Sequence, residues 1–169
     1  MPGLAAKFEH DDLAEYFLNL SGIDVNIRDA SGKAPRDYLF SLYSKRYDEA
    51  RARWQKYFEA KKQASSELIE ANSKKRELQS EVDKLERENK NLQYKIDHAD
   101  EGTSTSGWSN QILGNNIKIS GNNIAIGIWN RTISKLEQSI KDYQSKMDEE
   151  MRLREGYTNK MERLTNIPR

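Results

Sequence analysis

After Pro35 the chain runs to about Asp97 with neither a glycine nor another proline, and this uninterrupted stretch restricts the fold more than any other feature. Glycine and proline are the residues that end or kink helices, so nothing local stops one here. Apolar or aromatic side chains fall at Phe40, Tyr43, Tyr47, Ala50, Trp54, Tyr57, Ala64, Leu68, Ala71, Leu78, Val82, Leu85, Leu92 and Ile96. Steps of four and three place them on one face of an α-helix. A stripe sustained this far slightly underwinds the helix and predicts a left-handed supercoil with a partner helix. The stripe is broken at Lys61, Lys75 and Asn89, while the remaining faces carry Lys, Arg, Glu, Gln and Ser.

Composition agrees with long solvated helices rather than a compact core, because 36% of the 169 residues are hydrophobic and 33% are charged. A net charge of +1 provides no global attraction to nucleic acid or to an anionic membrane. Residues 45–62 are locally basic, which on a helix reads as a solvated face. With no cysteine there is no disulfide, thiolate metal site or cysteine nucleophile. No signal peptide opens the chain, and no apolar run approaches the roughly 20 residues of a membrane span. The expectation is a cytoplasmic or nuclear protein with no membrane partner, and the sequons at Asn19 and Asn130 carry little weight.

The first part of the chain has a different pattern. Leu4-Ala5-Ala6, His10, Phe17-Leu18, Gly22-Ile23-Asp24-Val25-Asn26, the span from Asp29 to Gly32, and Pro35 occur in that order. Residues 4–38 resemble an ankyrin repeat and the start of a second, with Glu9 and Ala34 standing where the family usually has Gly and Thr. Gly22 suits a helix end, Asp29 and Gly32 a tight turn, and Pro35 a first helical position. Ala34 lacks the hydroxyl that normally serves the backbone at a helix start. Repeats bury their faces against neighbours, and about three are needed for independent stability. The resemblance therefore implies the tail of a longer ankyrin protein, or a shortened version of one, with Phe40, Leu42 and Tyr43 covering the open end of the repeat. If instead Met1 is the true start, an apolar face at Leu4, Phe8, Leu13 and Phe17 lacks a neighbouring repeat and is open to a protein partner. His10-Asp11-Asp12 falls where the repeat places a backbone-bonding histidine, and reads as that rather than as a metal site.

Residues 98–112 read as a flexible loop, rich in Gly, Ser and Thr. A duplication follows, in which Gly114-Asn-Asn-Ile-Lys-Ile-Ser120 is succeeded by Gly121-Asn-Asn-Ile-Ala-Ile-Gly127. Alternation at Ile117 and Ile119, then at Ile124, Ile126 and Ile128, predicts a β-hairpin over residues 113–129 that turns at 120–123. It resembles the Ile-x-Ile-Gly core of amyloid-forming signalling motifs, which would imply self-assembly. From Trp129 the stripe resumes through Ile133, Leu136, Ile140, Tyr143, Met147, Tyr157, Met161 and Leu164, interrupted at Glu150 and Arg154. This gives a second coiled-coil helix over residues 130–166.

The fold expectation is thus mainly α. A partial ankyrin unit over residues 1–34 runs into a long coiled-coil helix over 35–97, folded back as an antiparallel hairpin with a small β-hairpin at its tip. The layout resembles that of prefoldin subunits. One antiparallel register opposes Ile96 to Trp129, Leu92 to Ile133, Leu85 to Ile140, Val82 to Tyr143, Leu78 to Met147, Leu68 to Tyr157 and Ala64 to Met161. It also brings the breaks Lys75 and Glu150 together as a register pair. The competing arrangement is a parallel zipper dimer through Asn89, at the cost of facing Glu81 and Glu86 across the interface.

The functional expectation is a non-enzymatic scaffold or adaptor whose partners are proteins, bound through the ankyrin face and the coiled coil. The alternative is a heteromerisation subunit of a nuclear transcription complex, since fungal cell-cycle transcription factors combine ankyrin repeats with helical association regions. Self-assembly through the β-hairpin is the third reading. Direct DNA reading is not expected, because Lys45, Arg46, Arg51 and Arg53 do not follow the Asn and Arg pattern of basic zippers. Two histidines, no cysteine and no phosphate-cradling glycine loop give no basis for catalytic, cofactor, metal or small-molecule sites.

Overall fold

The computed structural model describes residue 16 and residues 26–166, and they are mainly helical. Helix α1 spans Pro35–Asp97 and α2 spans Ser106–Thr165, packed against each other. The chain divides into two compact units, Met1–Ala60 with Tyr143–Arg169, and Lys61–Asp142. The expected helices of the ankyrin-like segment, with Leu4, Phe8, Leu13, Phe17 and His10, lie outside the described residues.

The entry to α1 is a tight turn built on Asp29. Its carboxylate accepts the Ser31 N–H at 2.8 Å, the Ser31 hydroxyl at 2.6 Å, the Lys33 N–H at 3.1 Å, and the Tyr38 hydroxyl. Gly32, at φ +76°, closes the turn by donating to the Asp29 carbonyl at 2.9 Å. The donors, Ser31 foremost and then Tyr38, hold the Asp29 carboxyl well below the usual carboxylate range. A lowered folded-state pKa stabilises the turn fully above the unfolded value of about 3.9, and that contribution is lost as pH falls through the folded value. An NMR titration should find Asp29 still ionised at about pH 3, where ordinary carboxylates are protonating. An ordinary titration midpoint would show that the donors do not hold the carboxylate.

At Ala34, which lacks the expected hydroxyl, Asp37 takes over. Its Oδ2 accepts the Ala34 N–H at 2.8 Å, the reaching-back half of a capping box. Pro35 occupies the first helical position at no hydrogen-bond cost. At the far end the His98 Nδ1 lies 2.9 Å from the Tyr94 carbonyl, and the two rings stack. The connection is residues 98–105 only, with Gly102 at φ +88°. The Thr105 carbonyl accepts the first helical bond of α2, from the Ser109 N–H at 3.0 Å.

The solvated faces are braced by a recurring short-range bond from a Gln amide to the acid four residues on. It occurs from Gln55 to Glu59, Gln63 to Glu67, Gln79 to Asp83, Gln93 to Asp97, Gln138 to Asp142, and Gln144 to Asp148. Each such pair contributes only about 0.2–0.5 kcal/mol, so the seam between the helices does most of the holding.

The expected loop and β-hairpin require correction. Residues 106–112 are already helical, and residues 113–129 continue as α2 with no strand among the described residues. The duplicated segment is seven residues long, which is the heptad period. Ile112, Ile119, Ile126, Ile133, Ile140 and Met147 stand seven apart, each buried or half-buried. That stripe packs on α1 and overrides the strand preference of isoleucine and the helix-weakening glycines and asparagines. A two-stranded hairpin, by contrast, has little independent stability in water.

Candidate interaction site

In the first unit α1 and α2 run antiparallel along a seam whose apolar anchor is Leu39, Tyr43 and Leu164. Leu39 and Tyr43 are almost wholly buried, with Tyr38, Tyr157 and Met161 packed around them. Complete burial of a large side chain contributes about 1.5–3 kcal/mol, so Leu39 and Tyr43 tie this end together. Phe40, the first residue of the stripe as read from sequence, is 43% exposed; Leu39 is the seam residue instead.

Above the anchor the seam becomes polar. Three tyrosines of α1 each receive a cation from α2: Lys160 over Tyr43 at 5.3 Å, Arg154 over Tyr47 at 5.0 Å, and Lys146 over Tyr57 at 5.5 Å. Arg154 also donates to the Tyr47 hydroxyl at 2.9 Å. Among these pairs Arg53 grips Glu150 with two parallel bonds, Nε to Oε1 at 2.7 Å and Nη2 to Oε2 at 3.0 Å. Glu150 is buried, and its hydrogen bonds raise the Arg53 pKa still further above its ordinary value.

The second unit has its own polar layer, made of asparagine. Asn115 donates to the Asn89 side-chain oxygen at 2.9 Å, and Asn89 donates to that of Asn116 at 2.9 Å. Asn115 is buried, and beside it Gln111 donates to Glu88. Val82, Leu85, Leu92, Ile126 and Ile133 are the buried apolar residues here, with Ala64 and Ala71.

Of the seam residues expected from sequence, Val82, Leu85, Leu92, Ile133, Met147 and Leu164 are buried. Leu68, Leu78, Asn89, Ile96, Trp129, Leu136, Ile140, Tyr143, Tyr157 and Met161 are half-buried. Their partners differ from the expected ones. Glu150 takes Arg53 rather than Lys75, and Asn89 meets Asn115 rather than Leu136. From 136 to 115 is three heptads, so the same faces remain buried in a different alignment. Sequence reasoning misses Asn115, Asn116 and Ile126 because local alternation places them in a β-hairpin, and Arg53 because it reaches in from the flank of Trp54. The signal for the first group was the seven-residue length of the duplication. Asn122 belongs to the same series, seven residues beyond Asn115 and half-buried.

Away from the seams, large apolar side chains face outward. Phe58, Ile69 and Tyr94 do so on α1, and Leu113, Ile117, Ile124 and Ile128 on α2. The concavity along Asp37, Phe40, Ser41, Ser44, Lys45 and Asp48 is an open furrow on one face of α1. No helix of the described residues is long and apolar enough to cross a membrane. No protein-family model matches the chain, and neither the curated proteins nor the solved structures yield a match.

Proposed function

We propose that this protein is a non-enzymatic interaction module, a scaffold or adaptor that presents separate docking surfaces to protein partners. The observation that supports this is that the two polar clusters of the helical seam, Arg53 with Glu150 and Asn89 with Asn115 and Asn116, are paired within the chain. Asn89 therefore has no need of a second Asn89 across a parallel zipper, and association falls to the outward faces. The ankyrin-like end would dock one partner through Leu4, Phe8, Leu13 and Phe17. The helices would hold another at a distance set by their rise, about 1.5 Å per residue.

Quantitative affinity capture with the full chain and with a chain lacking Met1–Ser31 tests the reading. The deletion should lose one set of bound proteins and retain another. Loss of both sets together, or substrate turnover by the purified chain, would overturn it.

A further inference from the structure

We propose that Leu113, Ile117, Ile124 and Ile128, on the face of α2 turned away from its seam, join two copies of this chain. The two α2 helices pair antiparallel about a twofold axis that passes between Ser120 and Gly121. The inference concerns residues of one unit only and holds whichever partners the adaptor reading assigns.

The four side chains are apolar yet 61%, 67%, 66% and 56% exposed, in that order. With 3.6 residues per turn they fall on one face, roughly opposite Asn115, Ile119, Asn122 and Ile126 of the seam. This segment lacks the composition of a solvated face. From Gly102 to Asn130 the only ionisable side chain is Lys118, in a chain of which 33% is charged. A helix with a single charge and apolar residues on two opposite faces has one face too many for a two-helix seam.

The spacing identifies the occupant. Steps of four, seven and four residues read the same in both directions, which is what a twofold contact requires, because residue i must meet j while j meets i. Reversed upon itself, the face opposes Leu113 to Ile128 and Ile117 to Ile124 of the second copy. The same operation opposes Gly114 to Gly127 and Ser120 to Gly121, so small residues surround the axis where two helices come closest. Lys118 meets Asn123, so no like charges are brought together. A different partner would not call for this symmetry.

The glycines are an independent indication. Gly114, Gly121 and Gly127 lie inside α2, where glycine weakens a helix relative to alanine. A Cβ built on any of the three meets nothing within 4 Å, so packing inside the chain does not require them. Close approach of a second helix accounts for their placement. Four apolar side chains and their flanks make a contact smaller than the roughly 800 Å² per partner of a standard interface, so dissociation on the order of micromolar is expected.

Sedimentation equilibrium of the full chain, from about 1 to 100 μM, should show a reversible monomer–dimer equilibrium. Ile117→Asp and Ile124→Asp should each weaken it at least about tenfold, since each change acts on both copies. Helicity by circular dichroism should be unchanged, because both side chains are exposed. The absence of native cysteine allows a direct readout of direction. A mixture of Ile117→Cys and Ile124→Cys chains should form a disulfide-linked pair more readily than either variant alone. A monomer at every concentration, a dimer indifferent to both aspartates, or better cross-linking by a single variant would each overturn the proposal.

Discussion

Replacing Arg53 with methionine should cost the first unit about 3 kcal/mol in urea unfolding, although the side chain is about half exposed. The loss arises on the other helix. Glu150 is 7% exposed and both its oxygens are occupied by the guanidinium, at 2.7 and 3.0 Å. Remove the guanidinium and a buried carboxylate is left with no cation. Breaking a buried pair from one side costs about 3–5 kcal/mol, and the solvent access of Arg53, 46% exposed, places this pair at the low end. Changing Glu150 to leucine in the same chain should recover stability to within about 1 kcal/mol of the starting protein, since a matched apolar pair does as well in a seam. If Arg53→Met alone is as harmless as Arg53→Met with Glu150→Leu, the carboxylate finds other donors and the pair does not hold the seam.

Register between two such helices is hard to read from sequence. The helix over Pro35–Asp97 was legible because its only punctuation is at its ends, and the stripe from Trp129 onward because its side chains are large and its flanks charged. Both are signals of one face on one element. Alignment between two stripes is a different quantity. Sliding one helix by whole heptads keeps every face buried, so periodicity gives a ladder of near-equivalent registers and chooses none of them. Loop length makes the choice. Reading residues 113–129 as strands removed the front of α2 from the seam and lengthened the connection, and the alignment that followed was displaced by three heptads. The strand reading and the Lys75–Glu150 pairing are thus one error. It began with Ile117 and Ile119, whose two-residue alternation outweighed the seven-residue duplication containing them. In a helix those two isoleucines go to opposite faces, Ile119 into the seam and Ile117 outward at 67% exposure. Two-residue alternation over so short a stretch is therefore compatible with a helix that is apolar on two sides. The Asp29 turn was legible for the opposite reason, since its donors and its glycine lie within ten residues and need no distant partner.

Asn89→Leu should destabilise the second unit by about 2 kcal/mol, the cost of leaving a buried amide unpaired. The amide concerned is that of Asn115, 6% exposed, which loses its acceptor at 2.9 Å. Asn116 is exposed and turns to water at little cost. Replacing Asn115 by leucine as well removes the unpaired group and should restore stability, carrying it above the starting value as the apolar seam runs on from Leu85 to Leu92. What the asparagines contribute is then separable from stability. With leucine at both positions the Asn89–Asn115 pairing is gone and only Asn122 remains polar in this series. With asparagine, a slip of one heptad takes the more deeply buried Asn115 from Asn89 and sets it against an apolar neighbour, even where the half-buried Asn122 replaces it. Cysteines at positions 88 and 111, where Gln111 donates to Glu88, report on alignment through a short bifunctional cross-linker. They should react efficiently in the chain with both asparagines and several-fold less so in the doubly substituted one, despite its greater stability. Equal cross-linking in the two would assign register to the eight-residue connection over 98–105, with Gly102 at its turn, and leave the asparagine layer a tolerated cost. A fall in cross-linking together with a rise in stability would make the layer a device for specificity, holding the outward face of α2 in a fixed position against α1.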